Sequence, residues 1–205
     1  MPKGSKELTQ ARREEIINAC EKLYQTMSFK DITIKEIGNV TSFTRTSIYN
    51  YFQTKEEIFL ALYTREYDRW NEELESISGE EETLSKEQLS IRIATSIANR
   101  KQLLKLLSMN NYDMESSSRT ELLISFKESY GRSMDNVRAV LKKFCPDMTS
   151  NDIEKFIYIF FPFMFGIYPY TEVTDKQKKA MQKAGVDYTY QSIYEITKNA
   201  LMKLL

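Results

Sequence analysis

The chain has 205 residues, with 29 Lys plus Arg, 29 Asp plus Glu and no histidine. Zero net charge singles out no partner, and the lack of histidine excludes Ser–His and Cys–His relays and any His-bound zinc or haem. Two cysteines, Cys20 and Cys145, build neither a disulfide framework nor a zinc ribbon, and a composition low in Gly and Pro but rich in Glu, Lys, Leu, Ile and Met favours an all-helical fold.

Taken in chain order, Thr9–Met27 places Ile16, Ala19, Cys20, Leu23, Tyr24 and Met27 on one face of a helix, with Thr9 as its N-cap. Thr33 with Glu36 forms a capping box for a short second helix carrying Ile34, Ile37 and Val40. Thr41-Ser42-Phe43 is a connector, and Thr44 caps a third helix in which Ile48 and Phe52 face inward while Tyr49 and Asn50 face outward. Thr54 with Glu57 opens a long amphipathic helix that ends near Ser78-Gly79. Ser85 with Gln88 opens the next, to about Asn99, and Gln102–Met109 adds a turn or two. Asn110–Ser118 reads as a loop, Thr120–Phe144 as a long helix, and Ser150–Tyr170 as an aromatic helix capped by Ser150. A short helix, Thr174–Ala184, ends at Gly185, and Asp187 or Thr189 opens the last.

The most apolar run, Phe156–Tyr170, is 15 residues long and contains Pro162, Gly166 and Pro169. A membrane-spanning helix needs about 20 apolar residues, so this run reads as a buried helix and the protein as cytoplasmic, with no membrane partner.

Charge is unevenly spread. Residues 1–55 hold nine Lys/Arg against six Asp/Glu, with Lys3, Lys6, Arg12 and Arg13 the most basic part, whereas Glu72–Glu82 is strongly acidic. A basic head on an acidic body points the head towards a polyanion. Helix, connector and helix between Thr33 and Phe52 have helix-turn-helix dimensions, and the first turn of the second helix, Thr44-Arg45-Thr46-Ser47, suits DNA. Its hydroxyls can bond phosphates, and an arginine can pair with the acceptors of guanine.

These residues carry a resemblance. TRTSIYNYFQTKEEIF, within ITIKEIGNVTSFTRTSIYNYFQTKEEIFLAL, is similar to the DNA-binding domain of TetR-family transcriptional regulators. The likeness covers about the first third of the chain. Thr41-Ser42 replaces the family's frequent Ala-Gly, and Thr46 stands where Gly is common, so the turn must form without glycine's freedom. The resemblance implies Thr33 and Lys35 beside the phosphate backbone, and Thr44, Arg45 and Thr46 in the major groove with Ser47 in the same turn. It also implies backbone contacts from Tyr49 and Asn50, and Lys55 anchoring a phosphate at the start of the fourth helix. The implied architecture is all-α: a three-helix DNA-binding head, 1–54, on a larger ligand-binding and dimerisation body, 55–205.

Eight aromatics lie in Phe156–Tyr170, on nearly every side of that helix, so it needs cover all round. The family's dimerisation through its last long helices implies a homodimer, with Phe156, Phe160, Phe163, Ile193 and Leu201 as interface candidates. Tyr67, Trp70, Tyr112, Tyr130, Met134 and Met164 are candidates for a small-molecule pocket, since aromatic and thioether side chains enclose apolar bodies. No compact Lys/Arg cluster lies there, which favours an uncharged or cationic effector over an anionic one. The resulting expectation is a ligand-responsive DNA-binding regulator, a repressor released from a palindromic operator, with no catalytic residues, metal or cofactor. The alternative is a helical protein–protein adaptor using residues 150–170.

Overall fold

The computed structural model describes residues 6–109 and 111–205, so Lys3 of the basic N-terminus lies outside the described residues. Its elements are α1 (Lys6–Thr26), α2 (Ile34–Asn39), α3 (Arg45–Ile48), α4 (Lys55–Gly79), α5 (Lys86–Ala98), α6 (Lys101–Leu107), α7 (Asn111–Ser116), α8 (Thr120–Phe144), α9 (Ser150–Thr171), α10 (Asp175–Lys183) and α11 (Ile193–Leu204). No strand occurs among the described residues.

The chain forms two compact units: one takes the residues up to Arg65 and the segment ending at Glu128, the other Glu66–Met109 and Ser129–Leu205. The division falls inside α4 and α8, so the first unit, the head, extends past Thr54 and includes α7.

In the head, Ile16, Cys20 and Tyr24 of α1 are buried with Ile37 of α2, Ile48 of α3, Phe52, and Phe59 of α4. The rings of Tyr24 and Phe29 both meet Phe59 edge-on, at 5.1 and 4.8 Å. Each fully buried Ile or Phe among them stabilises the fold by about 1.5–3 kcal/mol through the area it removes from water. α7 lies where a loop is expected: six mostly polar residues wind into a helix anchored by buried Met114, so tertiary packing overrides a polar local sequence.

In the body, α11 packs on α5 and α9, and α9 packs on α6. Two caps differ from the sequence expectation. Thr149, not Ser150, caps α9, because its extended backbone lets its hydroxyl accept from Asp152 N while the Asp152 carboxylate accepts from Thr149 N. Ser192, not Asp187 or Thr189, opens α11 by the same reciprocal pairing with Glu195. α1 also starts earlier than Thr9, being helical from Lys6.

α9 turns one face inward, with Phe156, Ile157, Phe160, Phe161, Met164 and Ile167 buried. Pro162 and Pro169, which cannot donate to the carbonyls of Tyr158 and Phe165, both lie on the exposed side, where water can satisfy those carbonyls. No single helix among the described residues is long and apolar enough to cross a membrane; α9 and α10 reach that length only as a pair, bent by 83°.

Candidate nucleic-acid interface

The helix-turn-helix is built from short-range bonds. Thr33 Oγ1 accepts from Glu36 N at 3.4 Å and caps α2. The turn then closes without a positive φ, which among the described residues occurs only at Gly185. Thr41 Oγ1 braces it, donating within reach of the carbonyls of both Gly38 and Phe43, each at 3.1 Å. The α1 carboxylate of Glu15 pins the turn from outside, accepting from Ser42 N and, at 3.1 Å, from Ser42 Oγ. No sequence signal marks this role for Glu15.

α3 is a single turn, prolonged by Tyr51 N and Phe52 N donating to Ile48 O at 2.9 and 3.0 Å. Ile48 and Phe52 are fully buried and fix its rotation. Thr44, Arg45, Thr46, Tyr49 and Asn50 are therefore exposed, and Ser47 is half-buried. Thr44 makes no side-chain cap; its hydroxyl bonds Ser47 Oγ at 3.1 Å. Arg45 Nη2 donates to Tyr49 Oη at 3.2 Å. Thr33 and Lys35 are exposed around α2.

Lys55 has a second occupation. Its ammonium donates to Phe29 O at 2.8 Å and Ile32 O at 3.2 Å, and lies 4.1 Å from the centroid of the Phe29 ring. Two of its three donors thus hold the loop between α1 and α2.

Behind α3 lies a cationic cluster. Arg12 Nη1 donates to Tyr51 Oη at 3.2 Å, Arg13 Nη1 to Tyr51 O at 3.4 Å, and Arg119 Nη2 to the same carbonyl at 3.1 Å. Arg13 also sits 4.6 Å from the centre of the Phe52 ring. Burial, helped by the charge of Arg119, draws the Arg13 guanidinium below its ordinary pKa. The counter-charge is Glu57, which accepts from Arg119 Nε at 2.7 Å, Arg119 Nη2 at 2.9 Å and Arg119 N at 3.1 Å, and from Gln53 N at 2.7 Å. Burial alone would raise its carboxyl, but the Arg119 side chain and the two amides outweigh it and hold the group below the usual carboxylate range. Thr54 Oγ1 donating to Ser117 O at 3.0 Å adds a second tie between the exit of α3 and the segment before α8.

The pocket candidates separate. Tyr67, Trp70, Tyr130 and Phe161 form one ring cluster in the body, with Tyr67–Tyr130 and Tyr130–Phe161 centroids both 5.6 Å apart and Trp70–Phe161 5.9 Å. Met164 is buried and Met134 half-buried in the same unit. Trp70 Nε1 donates to Ser96 Oγ at 3.1 Å. Tyr112 is 82% exposed on α7, in the head. Four of the five interface candidates, Phe156, Phe160, Ile193 and Leu201, are buried in the body's own core, and Phe163 is half-buried. These four side chains are consumed by intramolecular packing, and the outer face of α9 instead carries Tyr158, Ile159, Pro162 and Phe165.

Residues 16–62 match the model of bacterial regulatory proteins of the tetR family, and residues 64–201 match the tetracyclin repressor-like C-terminal domain. No curated protein matches the chain by sequence. Among solved structures it is similar to FadR, a fatty acid degradation regulator from Bacillus halodurans, at 15% identity and a TM-score of 0.59, covering 100% of this chain and 97% of that one. It is likewise similar to FadR from Bacillus subtilis, solved in complex with stearoyl-CoA (16% identity, TM-score 0.60, covering 93% and 96%), and to PfmR from Thermus thermophilus (12% identity, TM-score 0.61, covering 94% and 95%). The adaptor alternative finds no support in these likenesses. With the two family models following one another along residues 16–62 and 64–201, the chain belongs to the TetR family of transcriptional regulators.

Proposed function

We propose that this regulator acts in the cytoplasm as a homodimeric repressor, binding a palindromic DNA site and releasing it when a small molecule enters the body. The observation that carries the DNA reading is the exposed polar set Thr44, Arg45, Thr46 and Asn50, presented on a footing of buried Ile48 and Phe52. Arg45 and the flanking hydroxyls would meet base edges in the major groove, while Thr33, Lys35, Asn50 and Tyr49 flank the phosphates. Lys55 contributes mainly by fixing the α1–α2 loop, with one N–H left for a phosphate.

The second copy would cover the outer face of α9. Tyr158 is 70% exposed, Ile159 52% and Phe165 37%, all within two turns, and open space above Gly166 leaves room for close approach of another helix. Contiguous apolar area of this kind marks an interaction surface. The effector would lodge near Tyr67, Trp70, Tyr130, Met134 and Met164, where rings with polar tips and thioethers can enclose an apolar body. Stearoyl-CoA, bound in the Bacillus subtilis structure, supplies the anionic arm of a probe set for release of DNA, against which uncharged and cationic apolar compounds, favoured by the lack of a Lys/Arg cluster there, are compared.

Selection from random duplex DNA with the purified full chain tests this reading. An inverted repeat with half-sites about one helical turn apart is expected. Recovery of no enriched sequence would overturn it.

A further inference from the structure

We infer that Tyr49 is a specificity-determining residue that acts through Arg45, holding the guanidinium ready for a guanine edge rather than serving only as a phosphate contact; this rests on the DNA-binding reading above. Arg45 is the first residue of α3, and Tyr49 follows it at i+4, still helical at φ −62°, ψ −14°. Residues four apart share a helix face, so the two side chains run side by side. Arg45 Nη2 donates to Tyr49 Oη at 3.2 Å, and the guanidinium carbon lies 5.9 Å from the ring centroid. Both residues are exposed, so packing does not force the pairing. No carboxylate pairs with Arg45 among the described residues, which leaves its charge available.

A guanidinium has five N–H donors in a planar fork, and the bond to Tyr49 uses one. The other four suffice for the two-bond pattern that guanine N7 and O6 accept. A free arginine loses most of its rotamer entropy on making that contact, whereas one already held loses less. The gain applies only where the contact forms. At a cognate guanine it adds to affinity, and at another base it does not, so holding Arg45 raises the ratio between them. A tyrosine acting only on phosphate would strengthen all sequences alike.

The experiment compares the wild-type chain with Arg45→Ala, Tyr49→Phe and the double variant. Each is taken through selection from random DNA and then titrated against the selected site and its single-base-pair substitutions. Phenylalanine keeps the ring and removes only an exposed hydroxyl, and unchanged circular dichroism verifies that the head stays folded. Arg45→Ala should lower the preference at one base pair about tenfold. Tyr49→Phe should lower preference at that same base pair about threefold, with other positions unchanged, and should have no effect on that ratio once Arg45 is alanine. Equal weakening on all sequences with the ratio intact would overturn the inference, as would loss of preference at a different base pair. An Arg45→Ala variant that keeps every preference would also overturn it while leaving DNA binding standing. A wild-type chain that selects nothing would instead sink the DNA-binding reading itself.

Discussion

Removing the Arg119 side chain should destabilise the head markedly, and more so at neutral than at acid pH. Glu57 is 1% exposed, and Arg119→Ala takes away the two guanidinium bonds to it and the one to Tyr51 O. Stripping one partner from a fully buried ion pair costs about 3–5 kcal/mol. Arg119 is itself 41% exposed, so water can follow into the space it leaves, and Gln53 N and the Arg119 amide still reach the carboxylate. That solvent access brings the expectation down to about 2 kcal/mol. The pH dependence follows from the sign of the Glu57 shift. In the native chain the carboxyl lies below its unfolded value, so its contribution is present above that value and is lost as pH falls through the folded one. Without the arginine the carboxyl's pKa rises from its native value, so the variant's deficit is greatest near pH 7 and shrinks as pH falls and the folded variant takes up the proton before the native chain does. Urea unfolding of both proteins, followed by circular dichroism at fixed protein concentration across that range, measures the difference. A penalty below about 0.5 kcal/mol, typical of a surface pair, or one that does not change with pH, would refute the assignment of Glu57 as a buried, arginine-dependent charge.

Ile159→Asp or Phe165→Asp on the outer face of α9 should yield a well-folded monomer, because each side chain is already exposed within the protomer and loses only its partner. Light scattering at micromolar concentration decides it, with an unchanged dimer mass counting against that face. Cys20 is fully buried, and burial pushes its thiol far above its ordinary pKa. It should therefore stay unreactive towards a thiol reagent until the head opens, and labelling at Cys20 as fast as in urea would contradict the packing of α1.

Much of the frame was legible because it is local. Thr33 with Glu36, Thr54 with Glu57 and Ser85 with Gln88 are pairs three residues apart, and the structure has the hydroxyl of each accepting from the expected amide. The rotation of α3 was equally readable, since Ile48 and Phe52 share one face and leave Arg45 and Tyr49 on another. Contacts over longer separations left no trace in the sequence. Glu15 reaches Ser42 across 27 positions, and Arg119 reaches Glu57 across 62. Periodicity also failed where it carried no contrast. α9 is aromatic on almost every side, so its pattern could not say that Phe156 and Phe160 turn inward and Tyr158 outward. At Lys55 the residue type suited two acceptors, a phosphate or a carbonyl. Only the folded loop shows Phe29 O and Ile32 O within its reach.

The most direct test of the central claim is the salt dependence of binding to a labelled duplex carrying the selected repeat, followed by fluorescence anisotropy with a scrambled duplex alongside. Phosphate contacts release counterions, so a head that makes six or more of them should lose about a thousandfold in affinity between roughly 50 and 200 mM salt. The selected site should stay at least about a thousandfold tighter than the scrambled one at a given salt concentration. Binding that ignores salt, or that treats the two duplexes alike, would contradict the account.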